Sequence, residues 1–311
     1  MVSVEDHLRQ WSEAGIVDAV TSERIRSFER SRRATTAAER PSVLEILVYL
    51  GVAVIGVGVF ILVSISWEDL EEWARVAVTA GPGLFALLVG QVMRSSQVPG
   101  LQRGGQMAWL AGSALLTGGA TVVGVNSDWA DENVALGAAI TALAITLPLW
   151  AIAPSHPQII GLAAALFLLS TALGSRQDEF SFAAAGISLM AFGWAGVLLV
   201  ERGVLVPPVS ARALSAVAVG FGAFWAAQEA AGYEPLAFIA AAGLLALGIW
   251  RSTFMYVVAG VALVFLALIS TITRHIDEPS AAAAALILLG ALLVAVVLGL
   301  ARWQPWKRAT A

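Results

Sequence analysis

Long apolar runs broken by short polar turns repeat from about Leu44 almost to the end of the chain. Windows of roughly 17–25 apolar residues, the length at which a helix crosses a hydrocarbon core, lie near 44–65, 75–93, 106–125, 134–153, 158–174, 181–200, 213–229, 235–250, 253–273 and 280–300. Unsatisfied backbone groups are costly in lipid, so these continuous runs read as helices and not as strands of a barrel. The fifth, seventh and eighth windows are short or interrupted. The expectation is an all-α polytopic helical membrane protein of about ten transmembrane helices, eight to ten, with three parts: 1–43, a cytoplasmic amphipathic hairpin and linker; 44–300, the multi-pass domain; and 301–311, a cytoplasmic tail.

The segment before Leu44 has a different pattern. Val4 to Ala14 reads as a short amphipathic helix ending at Gly15, and a second helix runs from about Asp18 to Arg33. Their apolar side carries Trp11, Ile16, Val20, Ile25 and Phe28, of which Trp11, Ile16 and Phe28 are expected to close a two-helix hairpin. Arg and acidic residues balance along this segment, so it is not a polybasic patch that clings to anionic lipid. A unit this small buries too little to stand alone. Trp11, Ile16, Ile25 and Phe28 are therefore candidate interaction residues, expected to lean on the cytoplasmic helix ends, the headgroups or a protein partner. With this polar lead no cleavable signal peptide is expected, and the first span is expected to serve as the anchor.

Composition and charge sharpen this picture. At 59% hydrophobic and 13% charged, the chain is far more apolar than a soluble domain, which carries about 25% charged residues. A net charge of -4 offers no basic surface for nucleic acid, and the absence of cysteine removes thiolate chemistry. Lys and Arg collect on the cytoplasmic side of short loops. With ten spans and the N-terminus inside, all of the 18 basic residues except Arg75, Arg176 and Arg274 fall on that side, while most acids fall on the other. Beyond the N-terminal region only Glu45 and Glu201 are acids on the inner side. The lipid bilayer is the one partner this pattern demands, and both termini are expected in the cytoplasm of a cell held by its plasma membrane.

The stretch Ser66 to Arg75, SWEDLEEWAR, then becomes the first outer turn. Ser66 is expected to cap helix two with Asp69 three residues on, and Glu68, Asp69, Glu71 and Glu72 to lie near its positive dipole end. Glu71 and Arg75 are spaced i, i+4, and Trp67 and Trp73 suit the headgroup layer. Four carboxylates could instead cage a divalent cation, but the loop lacks the alternating Asp, Asn and Gly of such a site.

An acid ahead of a small-residue helix recurs at 132–140, 178–186, 234–243 and 277–286. Ala114-xxx-Gly118, Ala120-xxx-Gly124, Ala216-xxx-Gly220 and Ala218-xxx-Gly222 place small residues on one helix face for close packing. Ten helices also divide into two inverted halves of five, as in many secondary transporters. Arg75 to Gln91 and Arg212 to Gln228 share a spacing, and Gly81-Pro82-Gly83 could break helix two, but Gly220-Phe221-Gly222 is out of register with it.

The order Trp11, Gly15-Ile16, Ile25, then Leu50-Gly51, Gly56-x-Gly58 in the first span, then Trp67 and Arg75 resembles the prokaryotic "predicted membrane protein" families of unknown function, DUF 2157-like. The likeness covers about residues 7–93. Members often carry Asn before the loop tryptophan, where this chain has Ser66. The resemblance implies a bacterial multi-pass membrane protein with an N-terminal helical module, and no catalytic residue, ligand or cofactor.

Motifs for chemistry are missing: there is no H-E-x-x-H, no G-x-S-G, no G-x-G-D pair and no Walker A loop. Arg274-His275-Ile276-Asp277-Glu278 gathers ligand types but lacks a second histidine, so a solvated outer turn is expected there; His156 reads as part of a tight turn, and Gln228-Glu229 as interfacial polar residues. Two functions follow. One is a non-enzymatic membrane protein whose cytoplasmic module docks a partner; the alternative is a carrier for a small apolar or amphipathic solute.

Overall fold

The computed structural model describes residues 4–28, 50, 54, 57, 61, 63–177, 179–275, 280, 281, 283, 284, 287, 290 and 291. In chain order the elements are α1 Val4–Glu13, α2 Glu72–Arg94, α3 Pro99–Asn126, α4 Asp131–Ile152, α5 His156–Gly174, α6 Phe182–Glu201, α7 Pro208–Glu229, α8 Glu234–Trp250 and α9 Phe254–His275. A single 3-10 turn, Ala231–Tyr233, precedes α8, and residues 19–28 are also helical. No strand occurs among the described residues. Among them α2 to α9 are long and apolar enough to cross a membrane, so the chain is an all-α polytopic membrane protein. The first window, 44–65, and the last, 280–300, are described only at the positions given above, all helical; the linker to residue 43 and the tail 301–311 lie outside the described residues.

The helix starts follow local chemistry. Prolines occupy the first turn of α5, α7 and α8, where an absent N–H costs nothing. Ser181 caps α6 by accepting from the Ala184 N–H at 3.1 Å. Helix α3 begins at Pro99, well ahead of its apolar window, because a helix continues through Gln102, Arg103 and Gln106 once it leaves the hydrocarbon. Helix α2 runs unbroken from Glu72 to Arg94 with Pro82 inside it, so Gly81-Pro82-Gly83 is not a break.

The chain divides into two units, residues 1–71 with 88–108, and residues 72–87 with 109–311. In the first, the turn that follows α1 contains Gly15, whose φ of +68° is the left-handed conformation that glycine adopts without strain. Asp18 then caps helical residues 19–28 by accepting from the Thr21 N–H at 2.9 Å. The Thr21 side chain, and after it this N–H bond, hold the Asp18 carboxyl below the usual carboxylate range. A Cβ at Gly105 would lie 2.6 Å from the Gly90 carbonyl, so the 88–108 portion packs backbone against backbone.

The second unit inverts the soluble pattern, with small residues inside and large apolar ones outside. Its main cluster is dominated by alanines, with Val219, Leu244, Tyr256 and Leu263 fully or almost fully buried. Leu84, Phe85, Ile249, Trp250 and Phe254 are exposed. Lipid tails leave no hydrophobic drive between helices, so close approach of small residues holds such a bundle together. Helices α6 and α7 are the tightest example: a Cβ at Gly222 would lie 2.6 Å from the Gly186 carbonyl. Gly112 meets the Gly83 carbonyl in the same way, at 2.8 Å. Of the four small-residue faces expected, Ala218-xxx-Gly222 is used in this contact, while Gly118 has open space where a side chain would be and Gly220 meets only Leu263, at 4.0 Å. Several serine and threonine hydroxyls within the spans bond back to their own helix, as Thr146 Oγ1 does to Ala142 O at 2.7 Å.

Candidate functional site

The candidate interaction residues of the N-terminal segment divide by exposure. Trp11, Ile16 and Phe28 are exposed, together with Val20, while Ile25 is half-buried. Among the described residues of this segment, Leu8 and Ser22 are buried. The expectation that Trp11, Ile16 and Phe28 close the hairpin is therefore corrected. Helices this short cover few positions, and Leu8 takes the inward one. Trp11 instead stacks on His7 within α1, with ring centroids 5.7 Å apart.

The turn at 66–75 is also rearranged. Residues 66–69 close a backbone turn, with Asp69 N–H donating to Ser66 O at 3.2 Å, and the N-cap of α2 is Glu71, not Ser66. The extended backbone of Glu71, φ -62° and ψ 154°, stops the helix there, and its own side chain makes no cap hydrogen bond. Glu72 lies in the first turn, as the dipole favours. Asn126 Nδ2 donates to Glu72 O at 3.1 Å and ties the end of α3 to the start of α2. Trp67 is half-buried and Trp73 exposed; Glu68, Asp69 and Arg75 complete the segment. No group of three or more His, Asp or Glu side chains able to hold a metal forms among the described residues.

The most developed polar geometry sits elsewhere, at the two ends of the α6 to α9 group. At the end where α6 stops, Glu201 gathers side chains from two other helices and the α8–α9 turn. Arg212 Nε of α7 donates to its Oε1 at 2.9 Å, and the Tyr256 hydroxyl of α9 donates to the same oxygen at 3.0 Å. Arg251, which follows α8, brings its Nε to 3.7 Å from Oε2. Tyr256 is 0% exposed, and the Glu201 side chain only 11%. A carboxylate at a helix C-terminus faces the negative end of the dipole, so Glu201 depends on these donors.

At the opposite end Glu234, in the first turn of α8, faces the last turn of α9. Arg274 Nη1 lies 3.4 Å from its Oε1, and His275 Nε2 lies 3.2 Å from both carboxylate oxygens. Arg274 Nη2 also donates to the Gln228 carbonyl at 3.0 Å, and Gln228 Nε2 donates to Ser270 Oγ at 3.1 Å. Glu229 Oε2 accepts from the Ala183 N–H at 3.1 Å, capping α6 from a neighbouring helix. Arg274 and His275 thus belong to a tertiary hub and not to a solvated turn; Asp277 and Glu278 lie outside the described residues. His156 opens α5 and pairs with Ser210 Oγ at 3.1 Å.

The sequence marked Glu201 as an inner-side acid and Arg274-His275 as a cluster of ligand types, but not the pairings that make either hub. A signal was present, because Glu201 and Arg274 are minority charges, an acid among arginines and an arginine among acids. Each became the centre of a network where its helix end meets others.

Residues 9–149 match the model of the family described as Predicted membrane protein (DUF2157), a family of unknown function, which bears out the resemblance and extends it past residue 93. No curated protein and no solved structure matches the chain.

Proposed function

We propose that this chain, with residues 9–149 belonging to the predicted membrane protein family, is a non-enzymatic protein of the cell membrane whose N-terminal helical pair docks a partner protein in the cytoplasm. The observation that carries this reading is the exposed apolar side of Trp11, Ile16, Val20 and Phe28 on a segment whose helices are set by their own caps. Balanced charge removes the electrostatic pull of anionic lipid on this segment. The surface therefore suits the apolar face of a partner helix, with Trp11 and Phe28 as anchors. The arginine-rich turns, which include Arg202 and Arg251, support a cytoplasmic placement of that side and of both termini.

A photocrosslinker at Ile16 in native membranes is expected to give a discrete protein adduct, abolished by Trp11→Ala with Phe28→Ala while the spans stay inserted. Adducts to lipid alone, or rapid amide exchange throughout residues 4–28, would overturn the docking reading. A periplasm-active reporter fused after Trp73 is expected to give signal, and the same reporter after Ala311 none; the reverse pattern sinks the orientation.

The second reading is a carrier for a small apolar or amphipathic solute, built from two five-helix halves. It is favoured by an apolar cavity of about 190 Å³ between α7 and α9, lined by Ala216, Gly220, Phe224, Ala259 and Leu263 among others, which lies along these helices between the two hubs. It stands second because that lining offers no polar side chain to select a solute.

A further inference from the structure

The Glu201 end of the second unit holds more positive charge than its hub uses, and we infer that this surplus binds the phosphate of an anionic lipid headgroup. Arg251 and Arg202 are its ligands, and Trp250 is the wall against the bilayer. One carboxylate, Glu201, faces Arg212 and Arg251, and Arg202 follows it directly in the chain with an exposed side chain. Between Glu179 and Glu229, and again between Glu234 and Asp277, the sequence contains no acid besides Glu201. One negative charge against three guanidiniums leaves the cluster cationic.

The three arginines are not equivalent. Arg212 is committed to Glu201 by a short hydrogen bond. Arg251 comes no closer than 3.7 Å, beyond hydrogen-bond range, and its side chain is 45% exposed. Its guanidinium carbon lies over the Trp250 ring, 4.9 Å from the centroid, with donors left for a phosphate fork. Trp250 is itself 76% exposed, beside exposed Ile249, at the end of a membrane-spanning helix. A tryptophan there belongs to the headgroup layer. Basic pockets between helix ends at that depth bind anionic headgroups. A free anion has no use for the apolar wall that Trp250 and Ile249 supply, which is why the geometry points to lipid.

The test is native mass spectrometry of the full chain released from nanodiscs of equal phosphatidylcholine and phosphatidylglycerol. Wild type is expected to retain phosphatidylglycerol preferentially. Arg251→Gln and Arg202→Gln are each expected to lower that preference about fivefold, the effect of one guanidinium near a membrane surface. Arg202 stands outside the hub, so its variant tests the site even if Arg251→Gln disturbs folding. Trp250→Leu should lower retention less, and Arg103→Gln in the other unit should leave it unchanged. Equal retention of the two lipids, or an equal loss in Arg103→Gln, overturns the site. Displacement of phosphatidylglycerol by inorganic phosphate at matched concentration overturns the lipid assignment in favour of a free anion.

Discussion

The hubs of Glu201 and Glu234 use the same carboxylate chemistry in opposite local settings. Glu234 sits at a helix N-terminus and its partners Arg274 and His275 at a helix C-terminus, so each charge is already favoured by its own helix. Glu201 is the reverse, an acid at the C-terminus of α6 and on the arginine side of the bundle, made tenable only by Arg212, Tyr256 and Arg251. The difference separates a contact that local rules permit from one that exists only because helices converge. Only the second carries a fully buried tyrosine, and its surroundings are left with surplus positive charge.

If that contrast holds, Glu201→Ala should be the most damaging single change, because it strands two guanidiniums and a buried hydroxyl. Breaking such a pair costs about 3 kcal/mol, the low end of the buried range given the partly exposed arginines. Glu234→Ala should cost less, about 2 kcal/mol, the scale of a hydrogen bond to a charged group: its side chain is as buried as that of Glu201, but its loss strands one guanidinium and no buried hydroxyl. Unfolding in mild detergent compares them directly, and equal losses would erase the distinction.

Next in size is Gly222→Ala. Its new methyl meets the backbone of α6 at Gly186 and Met190, and separating α6 from α7 should cost about 2 kcal/mol. Because α6 and α7 also carry Glu201, Arg212, Ala183 and Glu229, both ends of the group should loosen together. A disulfide reporter between α6 and α7 that still forms at the wild-type rate would show that the ends are held independently.

Tyr256→Phe removes one donor from Glu201 and leaves the arginines in place. A loss of about 1.5 kcal/mol is expected, the scale of a hydrogen bond to a charged group, and an unchanged melting curve would mean the hydroxyl is dispensable. The smallest effect belongs to His275→Gln, about 0.5 kcal/mol for a contact with Glu234 whose histidine is about half exposed. That effect should fade at high salt, whereas the Tyr256→Phe effect should not. Salt-insensitive loss at His275 would place it among the buried interactions.

The helices themselves required nothing beyond the chain's own apolar windows. A segment of sufficient apolar length must form its hydrogen bonds internally wherever it sits in lipid, which is why α4, α5, α6 and α8 end within about three residues of their windows. Gly15 was equally readable, and so was the helix start at Asp18, because each acts on its own neighbours in sequence. The family resemblance, too, rested on residues visible in order along the chain.

Tertiary structure decided which of several equivalent residues would be used. Ser66 had the right chemistry for a cap and was passed over for Glu71, because the backbone closed a separate turn first. Leu8 turned inward and Trp11 outward, though both lie on the apolar side of α1. Gly222 became a contact and Gly118 did not, since a small residue matters only where another backbone arrives. Glu201 shows the limit most clearly. Its pairing joins residues 11 and 55 positions apart in sequence, so local periodicity contains nothing of it until α6, α7 and α9 bring their ends together.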